Sequence, residues 1–384
     1  MLVMVILLGL GEELWTRFIP KYLEVLGAGA WVIASYGALK DLLDAVYQYP
    51  GGWIADRIRP RMALALFAGI SLIGYGLYAL ADDWLWILAG TFFVAAWGSL
   101  ATPAIFSIIG ENLPKNNRAT AFGIQSIVKR VPIVLGPSLG GLLVVWLGFT
   151  RGIRVGLIAA IVLAGVAVAA VLKISSDRAS LPFEKSGFIV HWKEMDRSLK
   201  RLVTADCFAR LAEGIPDVFI VLYAINVLHV TAFEFGWLTS IQMLTSIVSY
   251  LPVSRLADKF TRKPFVLMTF GFFALFPLTI VLARSFAAIV LAFVVGGLRE
   301  IGEPARKALI VDLAKESTRG RAIGMYYLIR GLVVFPASIA GGWLWTMGAR
   351  LPFIVAFAIG IVGFGYYAVF GPGKSTLKLE GVGQ

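Results

Sequence analysis

Histidine, cysteine and charge are all scarce in this chain. A single cysteine, Cys207, stands among 384 residues, which excludes an intrachain disulfide. The two histidines, His191 and His229, have no Cys or His companions at ligand spacing, so neither a metal site nor a cofactor is expected. No G-x-x-x-x-G-K-[ST] stretch is present, which argues against ATP-driven pumping. No His, Ser or Cys sits in a recognisable catalytic arrangement, so no enzyme activity is expected, and an intramembrane enzyme is the weakest alternative. Charged residues make up 15% of the chain against roughly 25% in ordinary soluble domains, while 59% of residues are hydrophobic. A water-soluble globule cannot bury that much apolar surface, and lipid is the expected solvent.

A hydrocarbon core about 30 Å thick takes roughly 20 apolar residues per helix. Twelve segments of that kind run along the chain, near residues 1–22, 28–50, 62–81, 85–110, 119–147, 152–173, 204–228, 233–253, 264–283, 286–311, 321–346 and 351–371. "ALALFAGISLIGYGLYAL", 63–80, is apolar on every side, unlike the alternating segments of about ten residues in outer-membrane barrels. The expected fold class is an all-α polytopic membrane protein with twelve transmembrane helices. The first span begins at Met1 and contains charge, and no small-residue cleavage site follows it, so no removable signal peptide is expected.

The net charge of +12 reads as topology. Bases cluster in alternate loops: Arg57, Arg59 and Arg61; Lys115 and Arg118; Lys185, Lys193, Arg197, Lys200 and Arg201; Arg255, Lys259, Arg262 and Lys263; Lys315, Arg319 and Arg321. The positive-inside rule makes those loops cytoplasmic, which puts both termini on the inner side of the cell membrane. Scattered loop bases form no single groove or stripe, so no nucleic-acid partner is expected. The longest polar stretch, 174–201, carries Ser, Pro and charge and reads as a cytoplasmic linker. "FIVHWKEMDRSLKRLV", 188–203, has a pattern compatible with an amphipathic surface helix, and a solvated connector is the leading reading. The expected organisation is a bundle at 1–173, the linker, a second bundle at 202–371 and a tail at 372–384.

The two halves repeat each other. "NNRATAFG" ending at Gly123 matches "STRGRAIG" ending at Gly324, and the same offset of 201 carries Pro103 to Pro304, Glu111 to Asp312, Lys129 to Arg330, and Gly140-Gly141 to Gly341-Gly342. Pro50 and Asp56 fall on Pro252 and Asp258 at an offset of 202. Two parallel repeats of six helices are a transporter signature.

"GGWIADRIRPR" after span 2 resembles the loop motif of the major facilitator superfamily, G-x-x-x-D-[RK]-x-G-[RK]-[RK], through Gly52, Asp56, Arg57 and Arg61. Arg59 and Pro60 depart from it. The second copy keeps Asp258, Lys259, Arg262 and Lys263 and replaces both glycines with Ser254 and Thr261. The resemblance implies two pseudo-symmetric six-helix bundles that rock in alternating access, and it implies that each loop acid latches the opposite bundle. Asp56 would engage span 11 near Arg319, Gly320 and Arg321, and Asp258 the start of span 5 near Arg118 and Ala119, where free N–H groups favour a negative charge. Span 5, "GIQSIVKRVPIVLGPSLGG", also resembles the family's antiporter motif through Gly123, Gly136, Pro137, Gly140 and Gly141, with Pro132 where the motif has its middle glycine. That resemblance implies proton-linked export.

Fifteen ionisable residues fall within the spans away from the loops: Glu12, Glu13 and Arg17; Lys40, Asp41 and Asp44; Lys129 and Arg130; Arg210, Glu213 and Asp217; Arg299, Glu300 and Glu303; Arg330. Each costs a few kcal/mol facing lipid, so the expectation is a bundle-facing substrate and proton pathway. Glu13 with Arg17, Lys40 with Asp44, Arg299 with Glu303, and Arg210 with Glu213 have the spacing of same-face pairs. Lys129, Arg130 and Arg330 have no acid within a turn. Trp15, Trp97, Tyr223 and Tyr326 are candidate lining residues, with ordinary packing the alternative. Eight acids against seven bases leave the sign of the solute open. The leading expectation is a secondary transporter moving a small organic solute, coupled to protons, with export favoured, acting as a monomer in the bilayer. The alternative is uptake or exchange of an anionic metabolite held by Lys129, Arg130 and Arg330.

Overall fold

A computed structural model describes residues 2–57, 60–100, 115–173, 195–259, 261–313 and 319–372, and among these there is no strand. Two compact units form, one from Met1–Lys185 with Val221–Ser240, the other from Ser186–Ile220 with Ile241–Gln384. The all-α expectation holds, and the helical segments follow the twelve spans. The first six are α1 (Leu2–Glu13) with α2 (Ile19–Val25), α3 (Ala30–Arg57), α4 (Pro60–Ala79), α5 (Trp84–Ala95), α6 (Lys115–Leu147) and α7 (Phe149–Lys173). The last six are α8 (Arg197–Gly214) with α9 (Phe219–Leu222), α10 (Ala232–Lys259), α11 (Lys263–Leu282), α12 (Phe286–Leu298) with α13 (Glu303–Leu313), α14 (Arg319–Val334) with α15 (Ala337–Met347), and α16 (Leu351–Phe370).

Among the described residues six stretches are long and apolar enough to cross a membrane: Met62–Ala79, Arg130–Leu147, Phe149–Ala170, Lys263–Leu282, Met325–Met347 and Leu351–Phe370. Their outer faces stay apolar, as at Ile158, Val362 and Leu282, because the surrounding solvent is hydrocarbon. Short side chains start several helices. Asp83 caps α5 and Asp196 caps α8, accepting from the N–H groups of Leu85 and Ser198 at 2.8 and 2.7 Å. At α10, Thr231 and Glu234 form a reciprocal capping box.

Four spans expected to be continuous are interrupted. The breaks lie at Leu14–Phe18, Ile215–Val218, Arg299–Gly302 and Phe335–Pro336. Each interrupted span carries a proline at or near its break, Pro20, Pro216, Pro304 or Pro336, which removes a helical donor and crowds the preceding turn. Freed backbone groups find side-chain partners, as membrane burial requires. The Thr16 hydroxyl donates to the Glu12 carbonyl at 2.6 Å, and the Gly302 N–H donates to Thr269 Oγ1 at 2.7 Å.

Within the first unit, α6 lies directly on the α1 break and on the start of α10. A Cβ on Gly140 would overlap the Leu14 carbonyl, and one on Gly141 the Ala232 carbonyl, so backbone meets backbone at both glycines. The Ser138 and Ser240 hydroxyls are 2.8 Å apart. Nearby, Asn226 accepts from Lys21 Nζ at 2.6 Å and donates to Glu24 at 2.8 Å, which ties Val221–Ser240 to this unit. The second unit packs Leu199, Leu202, Phe270, Phe273, Leu309 and Tyr367 into one core drawn from α8, α11, α13 and α16.

Candidate functional site

Four helices of the second unit carry charge toward one another. On α8, Asp206, Arg210 and Glu213 recur at four and three residues, which at 3.6 residues per turn sets them on one face. Glu303, Arg306 and Lys307 share the first turns of α13, and Arg299 ends α12 on the other side of the break. Tyr326, Tyr327 and Arg330 share a face of α14. A network results that no two of these helices make alone.

Its inner part is almost wholly buried. Arg306, 1% exposed, lies between Asp206, 0% exposed, and Glu303. The Arg306 Nε donates to Glu303 Oε2 at 2.9 Å, and its two terminal nitrogens make close contacts to Glu303 Oε2 and Asp206 Oδ2. The Tyr326 hydroxyl donates to the same Asp206 Oδ2 at 2.8 Å. The second oxygen, Oδ1, is buried and accepts no hydrogen bond; Arg210 Nε stands 3.8 Å away.

The outer part is partly exposed. Arg210 bonds Glu213 at 2.7 Å and approaches Glu303 at 3.7 Å while lying over the Phe273 ring. Arg299 reaches the other oxygen of Glu213 at 3.5 Å, donates from Nε to the Gly296 carbonyl at 2.9 Å, and covers Phe276 with its guanidinium 4.4 Å from the ring centre. Arg330 lies over Tyr327 at 4.6 Å and comes no nearer to a carboxylate than 3.7 Å, at Asp206 Oδ2. Lys307, more than half exposed, stands 3.5 Å from Glu303 Oε1.

The expected pathway residues are therefore only partly united. Arg210, Glu213, Arg299, Glu303 and Arg330 come together. The Arg210–Glu213 and Glu13–Arg17 pairs form, the latter at 3.5 Å. The expected Arg299–Glu303 pairing is replaced, because the break at Arg299–Gly302 destroys the helical phase between them; Arg299 turns to Glu213 and Glu303 to Arg306. Asp217 and Glu300 lie in the turns of the α8–α9 and α12–α13 breaks. In the first unit, Glu12 and Glu13 end α1, Lys40, Asp41 and Asp44 lie on α3, and Arg130 lies on α6. Trp15, Trp97 and Tyr223 are buried in packing, and Tyr326 alone of the aromatic candidates enters the network. The Lys129 side chain lies outside the described residues, as do those of Gly52, Asp56, Arg57, Arg61, Arg118, Gly123, Asp258, Lys259 and Arg319.

Sequence reasoning missed Asp206, Arg306 and Lys307. Asp206 stood two residues inside the expected start of span 7 and looked like a membrane-end residue, as Arg306 did near the end of span 10. The signal that was present is the i, i+4 spacing of Asp206 with Arg210 and the i, i+3 spacing of Glu303 with Arg306.

The family model described as Major Facilitator Superfamily matches residues 1–209 and 202–382. An uncharacterized MFS-type transporter of Methanocaldococcus jannaschii is 22% identical over 360 residues, 92% of this chain and 89% of the relative. The multidrug resistance protein MdtH of Proteus mirabilis is 26% identical over 370 residues, 90% of this chain and 86% of the relative. Among solved structures, a bacterial homologue of the iron transporter ferroportin in an inward-facing state superposes with a TM-score of 0.79 at 12% identity, covering 96% of this chain and 97% of that one.

Proposed function

This chain belongs to the Major Facilitator Superfamily, a secondary transporter by membership, and we propose that it couples movement of a small organic solute to protons through Asp206. The observation that carries this reading is the state of that carboxylate: one oxygen is held by Arg306 and Tyr326, the other is buried and accepts nothing. An ionisable group at such a place inside a lipid-embedded bundle is expensive and points to function. A proton on Oδ1 would loosen the hold of Asp206 on Arg306, Arg210 and Arg330, three cations carried by three helices. One protonation event thereby reaches α8, α13 and α14 together.

Export in exchange for protons is supported by the likeness to the Proteus mirabilis multidrug resistance protein and by the glycine-packed α6 at the α1 break. Uptake or exchange of an anionic solute is the second reading, supported by the surplus of arginine over carboxylate in the network.

The test uses purified protein in proteoliposomes with an internal pH dye and solutes chosen from a thermal-shift screen. Asp206→Asn is expected to retain solute binding and lose solute-driven proton movement. Solute-driven acidification or alkalinisation equal to that of the unaltered protein would reject Asp206 as the coupling group. The sign of the pH change separates the two directions.

A further inference from the structure

We infer that Arg330 is the centre of a subsite for a singly charged carboxylate on the second unit's network, which makes the cargo an organic acid; the word cargo rests on the transport reading above, and the subsite does not. Four guanidinium groups, Arg210, Arg299, Arg306 and Arg330, meet three carboxylates, Asp206, Glu213 and Glu303. The pairing is uneven. Arg306 takes Asp206 and Glu303, and Arg210 and Arg299 share the two oxygens of Glu213. Arg330 is left with Asp206 Oδ2 at 3.7 Å, an oxygen that already accepts from Arg306 and Tyr326.

Among the described residues the Arg330 guanidinium donates no hydrogen bond, although it offers five N–H groups and its side chain is only 26% exposed. A cation so placed is largely removed from water and has only a long contact to a shared carboxylate, and a ligand that completes its hydrogen bonds recovers part of what burial cost. The neighbouring rings decide the ligand's approach. Tyr327 covers a face of Arg330, as Phe276 covers Arg299 and Phe273 covers Arg210; the N–H edges of Arg299 and Arg210 are taken by Glu213, whereas the edge of Arg330 donates no hydrogen bond among the described residues. An edge-on guanidinium is complementary to a planar carboxylate through two parallel hydrogen bonds. One positive charge is left over, so one negative charge balances it. Lys307 does not alter the count at the subsite, being more than half exposed and placed at Glu303. The rings beside the cations suit an apolar body behind the carboxylate.

The experiment is thermal unfolding of the full chain in detergent with sodium benzoate, sodium phosphate or benzamide, each at equal ionic strength against chloride. Benzoate is expected to raise Tm, and benzamide, which lacks the charge, is not. Arg330→Gln is expected to weaken the benzoate effect by at least about tenfold, whereas Lys307→Gln leaves it in place. Without any added ligand, Arg330→Gln is expected to raise Tm, since it removes the guanidinium in excess of the three carboxylates among the described residues of the network. An Arg330→Gln protein that melts earlier or does not fold would make Arg330 a structural partner of Asp206 and overturn the subsite. A larger shift with phosphate than with benzoate would overturn the single-charge assignment. None of these readouts involves protons or flux, so a failure of Asp206 as coupling group and a failure of this subsite remain distinguishable.

Discussion

Asp206 and Arg306 are among the most deeply buried charged side chains of the described residues, and they are paired with each other, Arg306 also holding Glu303. Removing one partner of a buried ion pair strands the other, at about 3 to 5 kcal/mol. Arg306→Gln is therefore expected to destabilise the second unit strongly, because two carboxylates lose their shared cation. Combining it with Asp206→Asn is expected to restore part of the loss, a coupling that denaturation of the single and double variants would measure. Additive losses would show that the pair contributes nothing beyond its members. Tyr326→Phe removes one of two donors to Asp206 Oδ2 and is expected to cost about 1 to 3 kcal/mol. At this scale the sequence exposed which spans carry charge and left the partners open. Arg330 looked unpaired within its own helix, which holds for α14 itself, and the carboxylate nearest to it is 124 positions away on α8.

Helix α6 shows what a local pattern conveys and what it withholds. Gly136, Gly140 and Gly141 were legible as a small-residue stripe, and their neighbours were not: Glu13 and Leu14 of the α1 break, and Ala232 at the head of α10. Gly140→Ala is expected to disrupt the first unit, because the new Cβ meets a backbone carbonyl that no rotamer change can move. Gly165→Ala on α7, where a Cβ meets nothing within 4 Å, is expected to be neutral or to stabilise by about 0.5 to 1 kcal/mol through helix propensity. Equal melting temperatures for the two variants in purified protein would refute the packing account of α6. The helix breaks belong to the same scale. Proline positions could be read from the sequence, yet a proline is tolerated inside α11 at Pro277 and inside α6 at Pro132 and Pro137. Whether a proline ends a helix depends on what its neighbours offer the freed carbonyls.

For the molecule as a whole, we propose that the paired loop clusters around Asp56 and Asp258 hold the cytoplasmic side closed. The motif resemblance at two positions one repeat apart supports this. Asp56→Asn and Asp258→Asn are each expected to shift the conformational balance toward inward-open while substrate binding survives. Distances between spin labels on the cytoplasmic ends of spans 4 and 10 would report it, and unchanged distributions in both variants would sink the latch. The further proposal of two bundles at 1–173 and 202–371 joined by a linker at 174–201 can be checked by expressing the halves separately and measuring whether they reassemble.

Twelve spans, the repeat and the family were all within reach of the sequence, because lipid burial demands about 20 apolar residues per crossing and leaves that demand in composition and spacing. The charge network was not, because its members lie as far apart as Asp206 and Arg330 and meet only after α8, α13 and α14 have packed. Sequence spacing pairs residues within a helix. The break at Arg299–Gly302 interrupts the helical register between α12 and α13, and with that register lost Glu303 joins Arg306 and Arg299 joins Glu213.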